Sequence, residues 1–149
     1  TETWGSGPKH GANTANVKRY MDFAARNGLG GTLVEGWNRG WDGDWYTNKE
    51  GFSFTEPYPD FDLPGLASYA RSKGMTLIGH HETITNITNY ERQLDSAFAL
   101  MGRLGVQAVK TGYVGDTTDL GHAHQGQYMV RHFRRVIETA ARNGVAVVA

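Results

Sequence analysis

The chain has 149 residues, no cysteine, and 15 basic residues against 15 acidic ones, so its formal net charge is zero with neutral histidines. This length and a 39% share of hydrophobic residues indicate one ordinary domain with a buried core. The balanced charge argues against nucleic acid or an anionic membrane surface as a partner, and no run approaches the roughly 18 apolar residues of a membrane span. The lack of cysteine excludes disulfides, thiol nucleophiles and thiolate metal sites.

One unit recurs four times along the chain: an amphipathic helix, a glycine just after its end, and a short apolar strand. The four glycines are Gly28, Gly74, Gly105 and Gly144. The predicted helices cover residues 14–27, then run from the cap Asp62 to Gly74, from the cap Asn89 to Gly105, and over residues 125–143. The predicted strands are residues 31–35, 75–79, 106–109 and 145–149.

Short strands that alternate with single helices are typical of right-handed βα units in a parallel sheet, so the predicted class is α/β. No glycine-rich phosphate loop follows any strand, which disfavours a nucleotide-binding doubly wound domain and favours a (β/α)8 TIM barrel. A complete barrel needs eight units and about 250 residues. With about four units and parallel strands, the chain is predicted to be a fragment of such a barrel.

Three consecutive predicted strands end in ionisable side chains: Glu35 after the first, His80-His81-Glu82 after the second, and Lys110 after the third. Barrel enzymes carry their active sites at this end of the strands, and a charge there costs desolvation energy unless it has a partner. A single Glu or Lys at a strand end is more often a solvated loop residue, but the cluster indicates a shared polar site. Strand alternation puts His80 and Glu82 on one face and His81 on the other, where we expect a structural role.

The longest insertion, residues 37–61, holds eight of the 17 aromatic residues. Aromatic faces mixed with asparagine and aspartate suit a carbohydrate, whose C–H faces stack on rings while its hydroxyls bind amides and carboxylates. The alternative is a local aromatic core that makes a long loop rigid. We expect most of the rings to form that core and Trp37 to lie near the ligand.

A glycine-rich loop further along could bind a metal ion through Asp116, Asp119, His122 and His124. Their spacing matches no established ligand pattern, so a solvated loop is expected there. The run Gly79-His80-His81-Glu82 has a superficial likeness to metallohydrolase strands, but it contains neither a His-x-His nor a His-Glu-x-x-His motif. A metallohydrolase therefore stays a minor alternative.

Five motifs in order connect nearly the whole chain with one enzyme family. They are GPKHGA at residues 7–12, LVEGWN with GWDGDW at 33–38 and 40–45, PYPDFD at 57–62, GHHET at 79–83, and VKTGYVG at 109–115. With them the chain closely resembles the catalytic barrel of glycoside hydrolase family 97, which contains calcium-dependent α-glucosidases and α-galactosidases. The resemblance implies that residues 1–149 run from the first helix to the fifth strand of that barrel, without the flanking β domains of the family.

The resemblance also implies a mechanism and site residues. Retaining members carry an aspartate nucleophile at the place that corresponds to Gly112, and glycine there leaves room for water, so the chain is similar to the inverting α-glucosidases. Glu82 then corresponds to a candidate general base that activates the water. The positions that bind substrate at the first subsite correspond to Glu35, His80, Lys110 and Trp4.

By the same resemblance, the general acid, a second candidate base and the glutamates that hold calcium lie outside this chain, which is expected to hold no complete metal site and to be inactive alone. The implied substrate is an α-linked oligosaccharide, and the family suggests a periplasmic or extracellular location. Two other interpretations stay open. One is a non-catalytic half-barrel that self-associates through its unpaired strands, and the other is a relative with α-galactosidase activity.

Overall fold

The computed structural model describes residues 10–148, which fold into four helices and four strands. They are α1 (Thr14–Arg26), β1 (Gly31–Leu33), α2 (Leu63–Ser72), β2 (Thr76–Glu82), α3 (Ile87–Arg103), β3 (Ala108–Gly112), α4 (Gln127–Arg142) and β4 (Ala146–Val148). All strands are parallel and their order in the sheet follows the chain, as in the wall of a barrel. The predicted α/β class with four parallel strands is confirmed. No helix within residues 10–148 has the length and apolar character to cross a membrane.

A glycine in the left-handed conformation follows each of the four helices. Gly28, Gly74 and Gly105 have φ of 70° and Gly144 has φ of 69°. Because glycine has no Cβ, it adopts this conformation without steric cost and turns the chain back towards the sheet. The four helix ends predicted from these glycines are confirmed.

The start of α3 differs from the predicted one. Asn86, rather than Asn89, is the N-cap, and its side chain accepts a hydrogen bond from the Asn89 N–H at 3.0 Å. Asn89 lies in the first turn, where its Nδ2 donates to the Phe52 carbonyl oxygen at 3.0 Å. The helix therefore begins earlier than predicted, and Asn89 connects it to the long aromatic loop.

The sheet has one covered face and one open face. Thr32, Leu77 and Val109 point to the covered face and are buried, and the helices contact the strands from that side. Leu33 pairs with Ile78, which pairs with Ala108, and this row is only partly buried on the opposite face. In a closed barrel this open face lines the interior, and the functional site lies at its upper end.

The loop between β1 and α2 is built on buried rings, which confirms that most of them form a local core. These rings are Trp37, Trp41, Phe52, Phe54, Tyr58 and Phe61. Tyr58 Oη accepts the backbone N–H groups of Trp41 and Asp42, at 3.0 and 2.9 Å. His10 stacks on the Tyr58 ring with 3.7 Å between centroids and contacts the carboxylates of Asp42 and Asp60.

Candidate functional site

Four of the predicted site residues lie together at the carboxyl ends of β1, β2 and β3. The register pairs His80 with Lys110 and Glu82 with Gly112, and Glu35 lies just beyond β1. The cleft has a volume of about 200 Å³ and is lined by Glu35, Trp41, Trp45, His80, Glu82, Lys110 and Val114. The fifth predicted residue, Trp4, lies outside the described residues.

Glu35, His80 and Lys110 form one polar cluster in the cleft. Lys110 Nζ donates to Glu35 Oε1 at 2.9 Å, and His80 Nε2 lies 3.6 Å from the same oxygen. Burial lowers the pKa of His80 to about 4, although the Glu35 carboxylate acts in the opposite direction. The imidazole is therefore neutral at pH 7, and the cluster offers both donors and acceptors to the hydroxyls of a ligand.

Glu82 is the buried carboxyl group of the cleft, with 5% of its surface exposed. Its Oε1 accepts two backbone N–H groups, from Ile84 at 2.8 Å and from Val114 at 3.0 Å. Burial raises the pKa of Glu82, and these two hydrogen bonds oppose that shift. A carboxyl group that is held in one orientation and has a raised pKa suits proton transfer.

Gly112 makes room for the Glu82 carboxyl group. A Cβ at this position would overlap Glu82 Oε2 and lie 2.8 Å from the carboxyl carbon and 3.3 Å from His80 Nε2. The resemblance implies room for a water molecule beside Gly112, and in the structure Glu82 Oε2 lies in that space. Any side chain at position 112 would therefore displace the Glu82 carboxyl group.

The chain that follows Glu82 adopts an unfavourable backbone conformation. Ile84 and Thr85 are branched at Cβ, yet their φ angles are +50° and +55°, and both residues are buried. Such a conformation costs on the order of 1–3 kcal/mol per residue and persists only where surrounding contacts enforce it. The turn brings the Ile84 N–H to the Glu82 carboxylate, so the strain occurs at the candidate site.

Trp41 and Trp45 supply the aromatic surface of the cleft. Their ring centroids lie 5.1 Å apart, and Trp41 lies 5.9 Å from the His80 ring. Trp37, which was expected near the ligand, does not line the cleft, so its predicted position is wrong. Its ring packs on the covered side of the sheet, and its Nε1 donates to the His80 carbonyl oxygen at 2.8 Å. The directions of Trp37 and Trp41 depend on contacts with the sheet and with Tyr58, which no local pattern reveals.

His81 points away from the cleft, as strand alternation predicts. Its Nδ1 lies 3.0 Å from Tyr90 Oη, and its ring packs against Phe54 and Phe98. Burial lowers the pKa of His81 to about 3, so the ring is neutral. The predicted structural role of His81 is confirmed.

The loop that carries Asp119 and His122 has structural contacts. Asp119 Oδ1 accepts the Ile87 N–H at 2.8 Å at the start of α3, and the His122 ring stacks on Tyr128 with 4.2 Å between centroids. Across residues 10–148, no group of three or more His, Asp or Glu side chains converges to hold a metal ion. The resemblance places the calcium ligands outside this chain.

Parallel βα units with a polar cluster at the carboxyl ends of their strands are typical of the wall of a (β/α)8 barrel. The sequence profile of glycoside hydrolase 97 matches residues 1–149. The chain therefore belongs to glycoside hydrolase family 97, and the predicted resemblance is confirmed.

Solved structures agree with this assignment. A glycoside hydrolase family 97 enzyme from Pseudoalteromonas sp. strain K8, in complex with acarbose, is 49% identical with a TM-score of 0.88, over 99% of this chain and 24% of that chain. A variant of that enzyme in complex with panose has the same identity and coverage and a TM-score of 0.89. A β-arabinopyranosidase, 21% identical with a TM-score of 0.58 over 91% of this chain and 19% of that chain, shares the fold. The chain spans about a quarter of the length of the family 97 relatives.

Proposed function

We propose that this chain is part of the catalytic barrel of a glycoside hydrolase that cleaves α-glucosidic bonds with inversion of configuration. The observation that carries the proposal is the Glu82 carboxyl group, which is buried at the end of β2, oriented by two backbone amides and aimed into a cleft with aromatic walls. Its raised pKa and fixed orientation support the role of a general base.

In the proposed reaction, Glu82 activates water through Oε2. Oε1 is engaged by the Ile84 and Val114 amides, whereas Oε2 accepts no hydrogen bond from the part of the chain that the structure describes. The water oxygen forms a bond to the anomeric carbon while its proton moves to Oε2. The glycosidic C–O bond breaks on the opposite face, and its oxygen takes a proton from a general acid.

The proposed ligands of the first sugar are Glu35, His80, Lys110 and Trp4. The Glu35–Lys110 ion pair and the neutral His80 ring can bind sugar hydroxyls as acceptors and donors. Trp41 and Trp45 add ring faces on which the C–H face of a sugar can stack. The substrate that suits this lining is an oligosaccharide.

The α-glucosidic specificity is supported by the ligand of a relative. The family 97 variant at 49% identity was solved in complex with panose, an α-linked oligosaccharide of glucose. An α-galactosidase is the alternative to this proposal.

Within this proposal, residues 1–149 run from the first helix to the fifth strand of the barrel. Inversion needs an acid and a base on opposite sides of the scissile bond, and the proposal places the general acid elsewhere in the full-length enzyme. It places the glutamates that bind calcium there as well. Lys110 already engages Glu35, which leaves Glu82 as the carboxyl group for the base side. The 149-residue chain alone is therefore expected to hydrolyse no α-glucoside.

The experiment that tests the proposal follows the first product of an α-glucoside by proton NMR, with the full-length enzyme that contains this chain. We expect β-glucose to form first and then to mutarotate, while authentic α-glucose in the same buffer serves as the control. Early formation of α-glucose would show retention, and equal turnover of the matching α-galactoside would contradict the glucosidase assignment.

A further inference from the structure

We propose that Thr83 is a positioning residue, whose hydroxyl holds the left-handed turn at Ile84 and Thr85 so that the Ile84 N–H stays on the Glu82 carboxylate. The inference rests on the proposed role of Glu82 as general base. It concerns a residue that does not line the cleft and acts through the backbone of its neighbours.

The Thr83 hydroxyl connects the turn to the end of the neighbouring strand. Thr83 is buried, its Oγ1 donates to the Gly112 carbonyl oxygen at 2.9 Å, and the same oxygen accepts the Thr85 N–H at 3.2 Å. The Thr83 N–H also donates to the Gly112 carbonyl at 2.9 Å. The hydroxyl thus bonds both to the strained turn and to the end of β3.

Three further contacts of the turn reach no part of β3. The Thr83 carbonyl accepts the Asn86 N–H at 2.9 Å, which closes the turn. Thr85 Oγ1 donates to the Ile84 carbonyl at 2.6 Å, and the Thr85 carbonyl accepts the Asp119 N–H at 3.0 Å. Without the Thr83 hydroxyl, the Thr85 N–H loses its acceptor, and the two branched residues with positive φ lose a contact that opposes relaxation towards ordinary conformations.

Relaxation of the turn has a defined electrostatic consequence. Among residues 10–148, the titratable groups around Glu82 are Glu35, His80, Lys110 and Tyr113, and the Lys110 ammonium already donates to Glu35. An amide hydrogen bond stabilises the charged carboxylate, so its loss raises the pKa of Glu82 further. A general base must be deprotonated, and activity is lost as the pH falls through its pKa, so the acidic limb of kcat/KM moves to higher pH.

The test compares three variants of the full-length enzyme. Thr83→Val removes the hydroxyl at nearly constant volume, and Thr83→Ser keeps it. Thr32→Val makes the same change at a buried threonine in β1 whose hydroxyl has no partner among residues 10–148. We expect Thr83→Val to lower kcat by roughly ten- to a hundredfold with little change in KM and to move the acidic limb upwards, whereas Thr83→Ser and Thr32→Val keep the wild-type profile.

Folding is checked by thermal melting, and Thr83→Ala replaces Thr83→Val if that variant does not fold. Alanine also removes the hydroxyl that accepts the Thr85 N–H, so the acidic limb is expected to move in the same direction. A folded variant of either kind with the wild-type pH profile overturns the inference. If Glu82→Gln retains wild-type turnover, the proposed function fails as well, whereas an inactive Glu82→Gln beside an unchanged Thr83→Val overturns only the role of Thr83.

Discussion

At the scale of single residues, the cleft depends on pairs of residues from neighbouring strands that the sheet register brings together. His80 and Glu82 point to one face of the sheet and His81 points to the other. This follows from the two-residue period of a strand, so it could be predicted from the sequence. The contact between Glu82 and Gly112 follows from the register between β2 and β3, which no local pattern shows. The turn at Ile84 was not predictable either, because branched residues disfavour positive φ.

Gly112→Ala tests the space that the Glu82 carboxyl group occupies. We expect it to lower kcat of the full-length enzyme by roughly a hundredfold, because the new Cβ overlaps Oε2 and displaces the group that activates water. Steady-state kinetics on an α-glucoside measures this. Gly30→Ala is the matched control, since a Cβ there meets no atom within 4 Å. Wild-type kcat in Gly112→Ala would contradict the described geometry.

At the scale of secondary structure elements, the sequence predicts helix ends better than helix starts or strand ends. A glycine after an amphipathic run is a strong local signal, and all four such glycines have φ near 70°. The sequence predicts the start of α3 at Asn89 and misses its true start, because the contacts that fix it are tertiary. They join Thr83 to Gly112 and the Ile87 N–H to Asp119. β2 continues beyond the predicted residue 79 to Glu82, since its polar end pairs with β3.

The aromatic loop supplies a prediction about substrate binding. Tyr58→Phe removes the oxygen that accepts the N–H groups of Trp41 and Asp42, while the ring can still stack on His10. We expect the free energy of unfolding of the full-length enzyme to fall by about 1–3 kcal/mol and KM to rise more than kcat falls, because Trp41 lines the cleft. Denaturant unfolding and steady-state kinetics provide the two readouts. Tyr46→Phe, at an exposed position of the same loop, is the control, and equal effects of the two changes would argue against a positioning role for Tyr58.

At the scale of the whole molecule, the chain exposes apolar surface that a closed barrel covers. Phe23 on α1, Val130 and Ile137 on α4, and Val148 on β4 each expose more than half of their surface. β4 pairs only with β3 among residues 10–148, so it leaves an edge unpaired within the described sheet. Both features were predictable from the number of βα units, since four cannot close a barrel of eight.

The β4 edge and the exposed apolar faces lead to a prediction for the isolated chain. We expect a dimer or larger assembly, because an unpaired strand edge and exposed apolar faces favour association in water. Light scattering of the purified chain measures its mass. A monomeric mass, together with slow amide exchange in both β1 and β4, would show instead that the chain closes over itself.

Turnover by Glu82→Gln in the full-length enzyme is the most direct test of the central claim that Glu82 is the general base. Glutamine preserves the shape of the side chain and the acceptor for the Ile84 and Val114 amides, but it cannot take a proton from water. The account predicts a kcat reduced by roughly 10²–10⁴-fold, with substrate binding retained by calorimetry. Glu56→Gln, an exposed carboxylate paired with Arg39, is the control with unchanged kcat. A kcat for Glu82→Gln within a few fold of the wild-type value would contradict the account.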